Sequence, residues 1–263
     1  MKMKLLNYIL AVLFPLLVAC TDYEAALDAR HEVWKTSVVP SSSSIIVSSS
    51  SVILSSSSKT VEIEFITDPR DGLITDPRDG QTYKTVKIGF QTWMAQNLNY
   101  GTNNSSCYKD STQYCGKFGR FYGWGAAMDS AGVWSMNGKS CGNGLTCSPT
   151  YPMRGVCPFG WHLPTKAEFK ILVSTVGTKA GKKLKSVNGW NSNNGSSGNG
   201  TDDYLFSALP VVFDVGGYTV GNVAYFWSST EFDSEAVYAM HLSYQNDDAF
   251  LLTIGKNSRF SVR

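Results

Sequence analysis

Three groups of side chains in this sequence could do chemistry: His162, the hydroxyls of Ser228, Ser229 and Thr230, and the aspartates of a duplicated octapeptide. An imidazole titrates near neutrality and can act as a general base, but turnover also needs a nucleophile and an orienting carboxylate. No serine, cysteine and carboxylate arrangement frames His162 in sequence, so it reads as a buried structural histidine. His241 falls at an alternating position of a strand-like run and reads as a surface or edge residue. Ser228, Ser229 and Thr230 suit the capping of backbone groups at a strand end; a nucleophile elbow needs Gly-x-Ser-x-Gly, which is missing. The octapeptide runs from Ile66 to Leu73 and again from Ile74 to Gln81, with aspartates at 68, 71, 76 and 79. Hard cations take oxygen ligands, but the spacing is not Asp-x-Asp-x-Asp-Gly, and Arg70 and Arg78 interrupt it. Asp-Pro-Arg-Asp-Gly is instead strong turn chemistry, so the repeat reads as a slipped turn at a domain edge.

Elements whose ends are marked in the sequence must position these groups. Thr165, with Glu168 three residues on, precedes the apolar run Phe169, Ile171, Leu172, Val173 and Val176, which predicts a helix opened by a capping box. Pro164 holds the residues before it extended, so the chain arrives as strand or loop and leaves as helix. Downstream, Ala224 to Glu231 is an aromatic strand ending in hydroxyls. Tyr83, Val86, Ile88 and Trp93, arranged around Gly89 and Phe90, predict a hairpin. A second helix is expected near Ala180 to Ser186. Short strands are expected near Phe206, Tyr225, Tyr238 to Tyr244 and Ala249 to Ile254, the last two joined through Gln245 to Asp248. The pattern is α+β, with one or two small helices on twisted antiparallel sheets.

The N-terminus carries a different chemistry. Lys2 and Lys4 precede an apolar stretch from Leu5 to Val18, too short to span a bilayer, and Leu17-Val-Ala-Cys20 closes it. This run resembles the lipobox of bacterial lipoproteins, which implies diacylation (palmitate among the acyl groups) of the Cys20 thiol. Each buried methylene adds about 0.8 kcal/mol to such an anchor. Thr21 rather than aspartate follows, which favours sorting to the outer membrane. Removal of Lys2 and Lys4 takes the 23 basic side chains to 21, against 21 acidic ones. A neutral chain has no basic stripe for nucleic acid or for anionic lipid, leaving the lipid anchor as its route to the membrane. With 43% hydrophobic and 13% aromatic residues it can bury a core. Serine blocks from Ser41 to Ser58 read as a tether spanning about 25 Å. The expected organisation is a signal over 1–20, a serine-rich disordered linker over 21–60, the turn-rich repeat over 61–82 and a domain over 83–263.

The domain has a recognisable pattern: Asp79-Gly-Gln-Thr-Tyr-Lys-Thr-Val-Lys-Ile-Gly89, then Gln91 to Tyr100, Gly119 to Trp124, Cys157-Pro-Phe-Gly-Trp-His-Leu-Pro-Thr165, Phe226-Trp-Ser-Ser-Thr230 and Phe260-Ser-Val-Arg263. It resembles the Fibrobacter succinogenes major paralogous domain over roughly residues 76 to 263. The resemblance implies an extracytoplasmic domain with a C-type lectin-like fold, shared with formylglycine-generating enzymes. Those enzymes require a cysteine pair late in the domain, and no cysteine follows Cys157 here. In the family a cysteine follows Phe-Ser-Val-Arg, so the resemblance implies a truncated C-terminus that has lost the partner of Cys157.

With Cys20 acylated, Cys107 and Cys115, and Cys141 and Cys147, are close in sequence within Gly-, Asn- and Ser-rich loops, as local disulfides would be in an oxidising compartment. Metal binding competes, but neither pair has Cys-x-x-Cys spacing and no histidine lies nearby. The long polar loop from Gly189 to Asp203 carries Trp190 at one end and Asp202 and Asp203 at the other. An aromatic platform beside oxygen-rich side chains could grip hydroxyls or a calcium ion, with Trp227 adjoining; the same composition suits polar filler beside a core tryptophan. The sugar- and calcium-binding signatures of true C-type lectins are missing, and Trp227-Ser-Ser-Thr stands near where the last would fall. The expectation is a lipid-anchored surface protein without turnover or resident cofactor that binds a polysaccharide or a surface protein. The alternatives are a structural surface protein without a discrete ligand and a degenerate enzyme of the formylglycine-generating type.

Overall fold

The computed structural model describes residues 72–212 and 219–263. Cys20, the serine tract and most of the first octapeptide copy lie outside the described residues. In chain order the elements are β1 (Gly72–Thr75), β2 (Thr82–Ile88), β3 (Gln91–Met94), β4 (Ser105–Ser106), α1 (Thr112–Phe118), β5 (Phe121–Gly123), α2 (Trp124–Ala127), α3 (Lys166–Val176), α4 (Ala180–Leu184), β6 (Ser192–Asn193), β7 (Ser196–Ser197), β8 (Val223–Glu231), β9 (Ala236–Ser243), β10 (Phe250–Gly255) and β11 (Arg259–Phe260). This is a mixed α+β architecture of small antiparallel sheets, ordered β1-β2-β3, β10-β9-β8 and β11-β5-β4, with the two-residue strands β6 and β7 paired alone.

The sheet β10-β9-β8 separates two cores, because successive strand residues point to opposite faces. Val223, Tyr225 and Trp227 of β8 face one core, with Tyr122, Trp124, Cys157, Leu163 and Phe260. Ala224 and Phe226 face the other, with Trp93, Phe169, Leu172, Leu184 and Phe206. Two-sided burial explains why Val223 to Ser229 are all buried, and why the run looks continuously apolar instead of alternating. The third sheet is tied on by β11, whose continuation at Ser261 accepts from Trp227 N–H at 3.1 Å and donates to Tyr225 O at 3.3 Å.

The second octapeptide copy forms the β1–β2 turn, where the Asp76 N–H donates to Gln81 O and the Gly80 N–H to Asp76 O, each at 2.8 Å. It is also a long-range lock. Asp76 is wholly buried and accepts from Arg78 Nε at 2.8 Å and Nη2 at 2.6 Å. Arg78 then donates to Val156 O at 2.8 Å and lies 3.8 Å over the Tyr100 ring. Burial by itself would raise the Asp76 carboxyl, but the bonds from Arg78 hold it below its ordinary value. The Asp76 oxygens are thus matched by a guanidinium. Gly155 brings Val156 into place: it takes φ +55°, and a Cβ there would sit 2.1 Å from Ala127 O.

The structure departs from the sequence expectations at several elements. In the segment expected to be only turn-rich, upstream of 83, Gly72–Thr75 forms β1 and pairs antiparallel with β2. Phe206 lies in no strand; its ring fills the core under α3, and the backbone pairs only as a bridge between Ala208 and Lys185. His241 sits on the middle strand β9, its ring between Tyr225 at 4.6 Å and Phe250 at 6.4 Å. Burial there pushes its pKa down to about 4, so it is neutral in the folded protein. The cysteines, by contrast, pair as expected: Cys107 bonds to Cys115 and Cys141 to Cys147, while Cys157 is a buried free thiol. Among the described residues no helix is long and apolar enough to cross a membrane.

Candidate functional site

The Trp161–Thr165 approach and the start of α3 are held by the hydroxyl end of β8. Ser229 donates its N–H (2.8 Å) and Oγ (3.2 Å) to Pro164 O, and Thr230 Oγ1 accepts from Lys166 N–H at 2.9 Å. These hydroxyls tie strand to helix. The capping box forms as the spacing predicts: Glu168 N–H donates to Thr165 Oγ1 at 3.1 Å, and Thr165 N–H donates to Glu168 Oε2 at 2.7 Å. The second carboxylate oxygen, Oε1, lies 2.7 Å from His162 Nε2. His162 is therefore half-exposed and paired with the helix cap, not buried; its backbone follows Trp161 along the surface while Leu163 turns inward. Burial acts to raise the Glu168 carboxyl, but bonds from His162 and Thr165 outweigh it and hold the carboxyl below its ordinary value.

This corner and the β2–β3 hairpin enclose a cleft of about 300 Å³, lined by Phe90, Gln91, Trp93, Trp161, His162 and Glu168, with Cys157 and Arg263 also reaching it. Phe90, at the hairpin tip, is fully exposed, whereas Trp93 is buried and stacks on Phe169 at 5.3 Å. Gln91 Nε2 donates to Glu168 O at 3.1 Å, which fastens hairpin to helix. Two buried polar atoms of the lining, Gln91 Oε1 and Trp93 Nε1, have no protein partner. Leaving a buried donor or acceptor unmatched costs about 1–3 kcal/mol, so such atoms call for a reason.

The ionisable groups of the cleft are engaged within the protein. Arg263 is buried, with Nε donating to Asn97 Oδ1 at 2.7 Å, Nη1 to Phe206 O and Nη2 to Ser207 O at 2.9 Å. Burial pushes its pKa down to about 9. Burial pushes the Cys157 thiol up to about 12, so at neutral pH it is protonated and a poor nucleophile. The carboxylate is thus committed to the cap, the imidazole is paired with it and the thiol is protonated.

A family model, Fibrobacter succinogenes major domain, matches residues 86–263, the stretch that holds every residue of the cleft. The chain belongs to this family. No curated protein and no solved structure matches it.

Within this Fibrobacter succinogenes major domain the residues singled out in the Gly189–Asp203 loop are dispersed. Trp190 is 5% exposed, and its indole N–H donates to Ser186 Oγ at 3.1 Å. Trp227 is wholly buried and donates from Nε1 to Tyr122 O at 2.6 Å. Neither ring face is open to a ligand, because each packs against a core that lies beneath the loop or sheet. Asp202 accepts from Ser207 N–H at 2.7 Å, which shapes the local turn, and burial raises its carboxyl. Asp203 is exposed. The cleft residues Phe90, Gln91 and Trp93 fall in the predicted hairpin and the Gln91–Tyr100 motif but were not singled out as site residues. Their sequence signal is Gly89-Phe90, an aromatic at a hairpin tip where no core can receive it.

Proposed function

We propose that this chain is a bacterial surface lipoprotein, anchored in the outer membrane through acylated Cys20, whose domain is a C-type lectin-like binding module. Its ligand is a polysaccharide or a surface protein, and the cleft between the β2–β3 hairpin and the His162–Glu168 corner is the ligand face. One observation carries the reading: a fully exposed aromatic, Phe90, stands at the rim of a cleft that contains two unmatched buried hydrogen-bonding atoms. Concave, largely apolar sites with a few convergent polar groups are the usual form of binding sites. The internal bonding of Glu168 and Arg263 and the protonated state of the free Cys157 thiol support binding without turnover, with no cofactor or metal required. The three-part N-terminal pattern ending in Leu-Val-Ala-Cys20 supports the anchor.

The test is retention of the full chain on a panel of purified polysaccharides and surface proteins, with bound material checked for cleavage. The expected result is saturable retention without cleavage, lost in Phe90→Ala at unchanged melting temperature. Equal retention of that variant would place the ligand face elsewhere. Cys20→Ala should abolish labelling by radioactive fatty acid, and unchanged labelling would remove the anchor from the account.

A further inference from the structure

We infer that the cleft takes a neutral glycan, with one pyranose face laid on Phe90 and hydroxyl groups reaching Gln91 Oε1 and Trp93 Nε1. The inference rests on the reading of the cleft as the ligand face and narrows it to one ligand class.

The argument starts from what the cleft leaves unsatisfied. Its charges are matched internally: the Glu168 oxygens by Thr165 and His162, and the Arg263 guanidinium by Asn97 Oδ1 and the carbonyls of Phe206 and Ser207. No spare cation waits for a phosphate or uronate, and no spare carboxylate waits for an amine. Among the buried side-chain atoms of the lining, one neutral acceptor, the Gln91 amide oxygen, and one neutral donor, the Trp93 indole N–H, remain unmatched. A hydroxyl both donates and accepts, so a polyol satisfies both atoms with one kind of group. These atoms have almost no surface open to solvent, so a small shift of the Gln91 side chain accompanies binding. Gln91 is positioned for it, since only its Nε2 is held, by Glu168 O.

The rim supplies the complementary apolar surface. Phe90 is exposed on both ring faces at the end of a two-residue turn, and Trp161, half-buried against the core, stands across the same cleft. A flat ring of this kind matches the axial C–H face of a pyranose. A peptide backbone also carries a donor and an acceptor, so it is the flat Phe90 face that favours a sugar, and the peptide arm of the titration separates the two.

The experiment uses the acylated full chain in a sugar-free detergent, labelled with ¹⁵N at the tryptophan indoles. Its seven tryptophans give seven cross-peaks, and the peak missing in Trp93→Phe belongs to Trp93. Neutral oligosaccharides of several hexoses and pentoses, a uronate oligomer and an unrelated peptide are titrated in turn. The expected result is a saturable shift of the Trp93 peak with a neutral oligosaccharide alone, weakened at least about tenfold in Phe90→Ala, or roughly 1.4 kcal/mol. A shift unaffected by Phe90→Ala overturns the stacked placement and with it the inference. Retention of the chain on a charged polymer or a protein, with Trp93 unmoved by every neutral sugar, overturns the glycan class and leaves the binding-module reading standing. If no polymer, sugar or protein is retained, both readings fall.

Discussion

Replacing Glu168 with alanine removes the acceptor that closes both the helix cap and the His162 contact. The structure sets the size of the effect. The Thr165 N–H loses a charge-assisted bond of 2.7 Å at a partly exposed site, a loss of about 1–2 kcal/mol once solvent screening is allowed for. The His162 pair, with the two side chains 39% and 30% exposed, adds about 0.2–1 kcal/mol. A total of about 1.2–3 kcal/mol corresponds to a fall in Tm of about 2–12 °C for a unit of this size. Glu168→Gln keeps a neutral acceptor for Thr165 and should fall by about half as much. The pH dependence has a definite sign: a carboxyl held below its ordinary 4.5 contributes stability that is fully present above that value and is lost as pH falls through the lower folded value. The gap between wild type and Glu168→Ala, followed by circular dichroism melting of the full chain, should therefore be full at pH 7 and shrink near pH 3. His241 titrates equally in both proteins and cancels in the difference. Coincident melts at pH 7, or a gap that widens in acid, would refute the reasoning.

Further expectations follow from the buried groups. His241, neutral in the fold with a pKa near 4 against an ordinary 6.5, is protonated more readily in the unfolded chain, so stability should fall as pH drops from 6.5 to 4; the melting profile of His241→Phe should be flatter across that window. Trp190→Ala should cost about 3–5 kcal/mol and lower Tm by about 6–20 °C, whereas Asp203→Ala should stay within about 1 °C; the reverse order would restore the Gly189–Asp203 loop as a ligand face. Peptide mass spectrometry without reduction should show Cys107–Cys115 and Cys141–Cys147, with Cys157 alkylated only after unfolding. A bridge from Cys157 to any of the four would contradict the fold described.

Local features were legible where the physics is local. The capping box of α3 needs only Thr165 and Glu168, and the β2–β3 and β9–β10 hairpins need only alternation and a turn. Features set by distant partners were not. Whether β9 is an edge or a middle strand depends on β8 and β10 flanking it, so His241 could not be placed from its own neighbours. Asp76 looked like surface turn chemistry because its anchor, Val156 O, is reached through Arg78 across 78 residues of chain. Polar, hydroxyl-rich neighbours left a ligand platform and a core tryptophan equally open at Trp190, with Trp227 adjoining; both rings are received by cores assembled from remote segments. The cleft joins residues near 90 to residues near 162 and 263, a juxtaposition invisible to any motif. Only the stranded aromatic Phe90 hinted at it.

The central claim is that the cleft beside His162, and not the Gly189–Asp203 loop, meets the ligand. Hydroxyl-radical footprinting of the full chain, with and without the polymer that retains it, measures this most directly. Oxidation of Phe90 and Trp161 should drop several-fold on binding while the loop around Asp203 is unchanged. Protection confined to that loop, with Phe90 oxidised as fast as in the free protein, would contradict it.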